Sequence, residues 1–148
     1  MQRATGIALR ESFRSNRGLP HGSALSCTLF LAYINDLPEL LKCQSLLFAD
    51  DVVKWKRGTQ RQALTDALQR DLTTISCYTR MWQLEVNCEN TVYAWFMLKR
   101  DTVKEPVDLR VNGTRLEKNP KPKYLGVTLD QKLTLFDHIQ EVKHKPSA

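Results

Sequence analysis

The chain has 148 residues, enough for one domain with its own core and too few for two comfortable ones. Hydrophobic residues make up 42% and charged residues 26%, the values of an ordinary globular domain, which excludes a disordered or fibrous chain. The formal net charge of +6 leans toward an anionic partner such as nucleic acid.

The four cysteines, Cys27, Cys43, Cys77 and Cys88, show no C-x-x-C spacing, which argues against a zinc ribbon or a disulfide scaffold. They read as reduced, mostly buried thiols of an intracellular protein. No basic-then-apolar leader opens the chain, and its longest apolar stretch, near Leu29 to Ile34, falls far below the ~20 residues of a membrane helix. Neither secretion nor membrane insertion is expected.

Thr5 to Phe13 alternate roughly, with Ile7, Leu9 and Phe13 apolar, and end in the turn cluster Ser15-Asn16-Arg17-Gly18, so a strand feeds a loop. Gly18-Leu-Pro-His-Gly-Ser-Ala-Leu-Ser26 follows. Glycines at 18 and 22 leave no side chain in the way of a base, a sugar or a second backbone. Helix amides near Ser23 would point free donors toward a phosphate. Alone, however, the stretch reads first as a Gly/Pro turn. From Ser23, the N-cap position, Leu25, Leu29, Phe30, Tyr33 and Ile34 recur at helical steps. Asp36-Leu-Pro-Glu39 then offers a capping acid, a first-turn proline and a Glu three residues on, which makes Asp36 a cap rather than a catalytic acid.

In Leu46-Leu47-Phe48-Ala49-Asp50-Asp51-Val52-Val53, two apolar runs meet at adjacent carboxylates. The runs predict two buried strands, with Asp50 and Asp51 on the tight turn of a hairpin. Two acids side by side repel and lose hydration unless they share a cation, so the pattern suggests a divalent metal site. Asp is also ordinary turn chemistry, and these eight residues alone do not decide between the two readings.

A basic cluster, Lys54, Lys56 and Arg57, precedes a long helical stretch from Thr59 to about Trp82, with Leu64, Leu68, Leu72, Ile75, Tyr78 and Trp82 as its core-facing stripe. Val92 to Leu98 is a continuous apolar run, a buried strand. Val107, Leu109 and Val111 alternate up to Asn112-Gly113, a strong hairpin signal, with Leu116 beyond it. Lys118-Asn-Pro-Lys-Pro-Lys123 leads extended into Tyr124 to Leu129, read as one strand, and Thr134-x-x-Asp137 should cap a closing helix through Val142. Without repeats or linkers, the pattern predicts an α+β fold with helices packed on one face of an antiparallel sheet.

Taken in order, G-x-P-x-G-S-x-L-S (18–26), L-F-x-x-Y-I-N-D-L-P (29–38) and F-A-D-D (48–51) resemble the palm of reverse transcriptases, and the likeness is to the non-LTR retrotransposon kind. Trp82-Gln-Leu-Glu-Val-Asn87 with Thr91 is similar to that family's segment between the long helix and the next palm strand. Lys123-Tyr-Leu-Gly-Val-Thr-Leu-Asp130 is similar to its primer-grip segment, and Leu133 to Ile139 to the start of its thumb. The resemblance implies a partial palm over residues 1–130, including the primer-grip-like segment, and a thumb-like helix beginning in 131–148.

The activity so implied is RNA-directed DNA synthesis by two-metal nucleotidyl transfer, with magnesium, or manganese in its place, as cofactor. Asp50 would be a ligand of both ions and Asp51 its acidic neighbour. One ion would lower the pKa of the primer 3′-hydroxyl and the other would neutralise the leaving pyrophosphate. Gly18, Pro20, His21, Gly22 and Ser23 would line the nucleotide and template pocket. Tyr124, Leu125 and Gly126 would press on the primer end. Lys54, Lys56, Arg57, Lys121 and Lys123 would contact phosphates, although each taken singly is equally a solvated surface residue. An RNA template, a DNA primer and a dNTP are the implied partners.

The chain also departs from the family pattern. The family's palm begins with a strand that carries another metal-binding aspartate upstream of the Gly-Leu-Pro loop, but none of the seventeen residues before Gly18 is Asp, and the sole acid there is Glu11. His21 stands where Gln is usual, Cys27 where Pro is usual, and Asn90 where the family has a lysine, and an amide is no general acid near neutral pH. The expectation is a polymerase fragment that is inactive alone and binds divalent metal weakly. The other reading is a remnant that holds RNA or an RNA–DNA hybrid without chemistry.

Overall fold

A two-residue turn and a long amphipathic helix organise the fold, seen here in a computed structural model that describes residues 5–14, 24–97 and 107–144, with side chains from residue 28 onward. Strand β1 (Thr5–Arg14) is followed by helix α1 (Ala24–Ile34) and the one-turn helix α2 (Leu37–Leu40). Next come the hairpin strands β2 (Gln44–Phe48) and β3 (Asp51–Gly58), helix α3 (Arg61–Met81), and strands β4 (Glu85–Val86) and β5 (Val92–Met97). Across the main sheet the order is β2-β3-β1-β5-β8, where β8 is Glu117–Lys118 and β4 pairs with the far end of β1. The first strand therefore lies at the centre, antiparallel to both neighbours, with Ile7 opposite Lys56 on one side and Trp95 on the other. A β-α-β-β-α-β course with this order is the split βαβ arrangement. The fold mixes helix and strand as expected, and among the described strands only β8 joins the sheet parallel.

Strand alternation gives the sheet two unlike faces. Val52 and Lys54 are fully buried toward α3, which presents Leu64, Leu68, Leu72 and Ile75 at three- and four-residue steps. With Tyr93, Trp95 and Val86 these side chains form one core, and each buried leucine contributes about 1.5–3 kcal/mol. The stripe ends sooner than its spacing predicts. Trp82 is the C-cap of α3 and 41% exposed, its ring set edge-on against Tyr33 at 5.1 Å.

The Asn-Gly signal is met by a hairpin of β6 (Arg110–Val111) and β7 (Thr114–Arg115), with Asn112 at φ 48° and Gly113 at φ 81°. Two consecutive left-handed residues match the twist of a two-residue hairpin. Helix α3 holds this hairpin by its backbone. Gln69 accepts the Arg110 amide through Oε1 (2.8 Å) and donates through Nε2 to the Arg110 carbonyl (2.9 Å). The Asn112 amide donates to Ser76 Oγ at 3.2 Å.

Three local expectations are corrected. Tyr124 to Leu129 is no single strand but a hairpin of β9 (Lys123–Tyr124) and β10 (Val127–Thr128), because Leu125 and Gly126 are both left-handed, at φ 46° and 84°. Helix α4 (Phe136–Lys143) is capped by Leu135 at φ 59°, one residue after Thr134, whose hydroxyl donates to Asp130 Oδ2 (2.9 Å) and accepts the Phe136 amide (3.4 Å). Asp36 holds the N-cap position of α2 without a capping hydrogen bond from its side chain, and its Oδ1 accepts from Asn35 Nδ2 at 3.5 Å. Ser23, the expected cap of α1, lies outside the described residues.

A Cβ placed on Gly113 would meet nothing within 4 Å, so its cost is backbone strain alone. Gly113→Ala should lower unfolding free energy by about 1–2 kcal/mol in urea titration, and an unchanged midpoint would contradict the turn assignment.

Candidate functional site

The carboxylate pair sits where β2 turns into β3. Phe48 pairs directly with Asp51, so the loop is Ala49-Asp50 alone, and Asp51 is the first residue of β3 rather than a turn residue. Ala49 is left-handed at φ 51°, a conformation that costs a residue with a Cβ about 1–2 kcal/mol. Such strain is kept where the neighbouring structure dictates it. Asp50 is exposed and Asp51 nearly buried, 9% exposed, so adjacent carboxylates meet different surroundings.

The strands beside the turn are not both buried. Strand β2 forms the sheet edge, and Leu46 and Phe48 are 54% and 60% exposed on the Asp51 face. Ser12 of β1 is the register partner of Asp51, and Glu11 that of Val52. Among the described residues, no three His, Cys, Asp or Glu side chains are grouped so as to hold a metal ion. Asp50 and Asp51 therefore offer two carboxylates that a divalent ion would accept, and among the described residues no third ligand joins them.

The predicted phosphate contacts separate into distinct environments. Lys56 and Arg57 are exposed on β3, and Lys123 is exposed at β9. Lys121 is exposed but bridges to Asp137 Oδ2 of α4 at 3.0 Å. Lys54 is the clear correction. It is fully buried, with Nζ 2.6 Å from Asp71 Oδ2, and it has no surface to offer a phosphate. Tyr124, Leu125 and Gly126 lie on the β9–β10 hairpin, a two-stranded sheet of its own, with Leu125 half-exposed at its tip. Gly18, Pro20, His21, Gly22 and Ser23 lie outside the described residues.

Asp71 is the residue that pattern reading passed over. Besides Lys54, it accepts the Lys42 amide on Oδ1 at 3.0 Å and the Cys43 amide on Oδ2 at 2.8 Å. Burial alone would raise its pKa, but the Lys54 hydrogen bond, the two amides and the Lys54 charge outweigh burial and hold the carboxyl below its usual 3.8. The same setting works the other way on the Cys43 thiol. Burial first, then the Asp71 charge and hydrogen bond, push it up to about 11, so this thiol is inert at neutral pH. A signal was present in the sequence. Asp71 is three residues after Leu68 and four before Ile75, a lone acid inside an apolar stripe.

Comparison with known proteins decides the family. The family model described as reverse transcriptase (RNA-dependent DNA polymerase) matches residues 4–129. The chain belongs to the reverse transcriptase family. Similar curated proteins include the probable RNA-directed DNA polymerase from transposon BS of Drosophila melanogaster, 31% identical over 90% of this chain and 16% of its own length. The RNA-directed DNA polymerase from mobile element jockey of Drosophila funebris is 29% identical over 86% of this chain and 14% of its own. The probable RNA-directed DNA polymerase from transposon X-element of Drosophila melanogaster is 30% identical over 85% and 14%. The chain therefore spans about one seventh to one sixth of the length of these relatives. These are polymerases of transposons and mobile elements, as the likeness to the non-LTR kind anticipates. No solved structure matches the chain. No helix among the described residues is long and apolar enough to cross a membrane.

Because the folded pKa of Asp71 lies below its unfolded value, its contribution is complete above the unfolded pKa and is lost as pH falls through the folded one. At neutral pH Asp71→Asn should cost about 3–5 kcal/mol, because it strands a buried Lys54 charge. That gap should narrow below about pH 4. Denaturant midpoints for both chains between ~pH 7 and ~pH 2 check this, and a gap that widens with acid would contradict it.

Proposed function

We propose that the chain is the palm segment of an RNA-directed DNA polymerase, with Asp50 and Asp51 as its metal-facing carboxylates and Tyr124 to Gly126 contacting the primer end. The observation that carries this reading is the F-A-D-D sequence on a two-residue hairpin turn within the stretch matched by the reverse transcriptase model. Divalent ions, when bound, would supply charge neutralisation at the transferring phosphate. The chain's own residues would present the turn and hold the nucleic acid beside it. Lys56 and Arg57, exposed on the strand that begins with Asp51, would meet the phosphate backbone, and Phe48 and Leu46 would offer an apolar surface to a base or sugar.

A second reading, binding of an RNA–DNA hybrid without chemistry, is favoured by one observation. Two carboxylates are present at the turn, and no third ligand joins them among the described residues. Two-metal chemistry needs acids on both sides of the ions to offset their charge. The purified chain is accordingly expected to bind hybrid and not to extend a primer.

With about three phosphate contacts, hybrid affinity should fall about 40-fold between ~50 and ~200 mM salt, and Asp50→Asn should leave it within about twofold. Fluorescence anisotropy measures both. Salt-insensitive or undetectable binding would remove the nucleic-acid role. Template-dependent incorporation with magnesium or manganese, lost in Asp50→Asn, would show instead that the chain is an active polymerase.

A further inference from the structure

We propose that Asp71 is a positioning residue for the Asp50–Asp51 turn, tying β3 and the segment that leads into β2 to α3 through one buried carboxylate. The inference rests on the proposed role of the turn. Cys43, whose amide Asp71 Oδ2 accepts at 2.8 Å, immediately precedes the first residue of β2. Lys54, whose Nζ meets the same oxygen at 2.6 Å, lies three residues beyond Asp51 on β3. Asp71 Oδ1 takes the Lys42 amide at 3.0 Å, so one oxygen holds the approach to β2 and the other holds both that approach and β3. One side chain of the long helix therefore sets where β2 begins and how β3 is rotated.

Register makes the arrangement specific. A strand shifted by one residue turns every side chain to the opposite face. A slip of β3 against α3 would bring Val53 or Trp55 to Asp71, leave a buried carboxylate without its cation, and carry Asp51 from the opposite face toward the helix. Buried ion pairs are poor contributors to net stability, and fixing a register is their best-attested use. Lys54 and Asp71 are 0% and 2% exposed, so neither keeps water as an alternative partner.

The test compares the full chain with Asp71→Asn and with the double variant Lys54→Met/Asp71→Leu, which removes both charges and keeps the apolar packing. Residue-resolved amide hydrogen exchange is the first readout. In the double variant, amides from Leu46 to Val53 should exchange at least about tenfold faster than in wild type, while those of α3 and β5 change less than about threefold. Paramagnetic broadening by Mn²⁺ at the amides of Ala49 to Asp51 is the second readout, and it should weaken at least about fivefold in the double variant. Uniform loss of protection across the sheet, or an unchanged hairpin, would overturn the positioning role, leaving Asp71 a general stabiliser. Should Asp71→Asn fail to fold, the double variant carries the test. Broadening that persists in Asp50→Asn/Asp51→Asn would sink the metal reading of the turn, and hairpin exchange would still decide the role of Asp71.

Discussion

The fold turns on one buried ion pair. Lys54 and Asp71 meet at 2.6 Å inside a core otherwise built from Leu64, Leu68, Leu72, Ile75, Val52 and Tyr93. Taking two charges out of water costs several kcal/mol per ion, and a lone pair in such a place would barely recover it. Asp71 recovers more, because the Cys43 amide would otherwise be a buried donor, and the Lys42 amide a part-buried one, between α2 and β2. The carboxylate thus satisfies three donors from two segments. It also makes α3 the reference against which the hairpin is placed.

From that anchor follows the division of the sheet. One face is packed on α3 and carries Val52, Lys54, Tyr93 and Trp95. The other begins with Asp51 and includes Phe48 and Leu46 at the edge strand, exposed apolar side chains beside an acid. In the proposed function Phe48 and Leu46 would meet a base or sugar, and the neighbouring carboxylates would meet phosphate only through a divalent ion. The left-handed Ala49 fits the same account, since a strained residue at the tip persists only where both flanking strands are fixed.

Much of this was legible in the residues. The stripe of α3, the Asn112-Gly113 hairpin and the carboxylate hairpin each declared themselves through periodicity or turn chemistry, and three ordered motifs pointed to the family that the comparison then showed. What escaped was set by contacts distant in sequence or by backbone states the side chain disfavours. Lys54 looked like one cation of a basic cluster because the strand pattern does not say which face meets the helix, and its partner lies 17 residues away. Tyr124 to Leu129 looked like a strand because nothing in Leu125 announces a left-handed residue, and only Gly126 beside it hinted at a turn. Helix α4 begins one residue late because the Thr134 hydroxyl is drawn to Asp130.

The most direct measurement is a graft. Residues 44–58 of this chain would replace the matching hairpin of the full-length RNA-directed DNA polymerase from mobile element jockey, and primer extension on an RNA template would be followed. If this hairpin is a polymerase active-site turn, the chimera extends primers, and Asp50→Asn within the graft abolishes extension. A folded chimera that cannot extend, or one whose activity survives Asp50→Asn, would contradict the account.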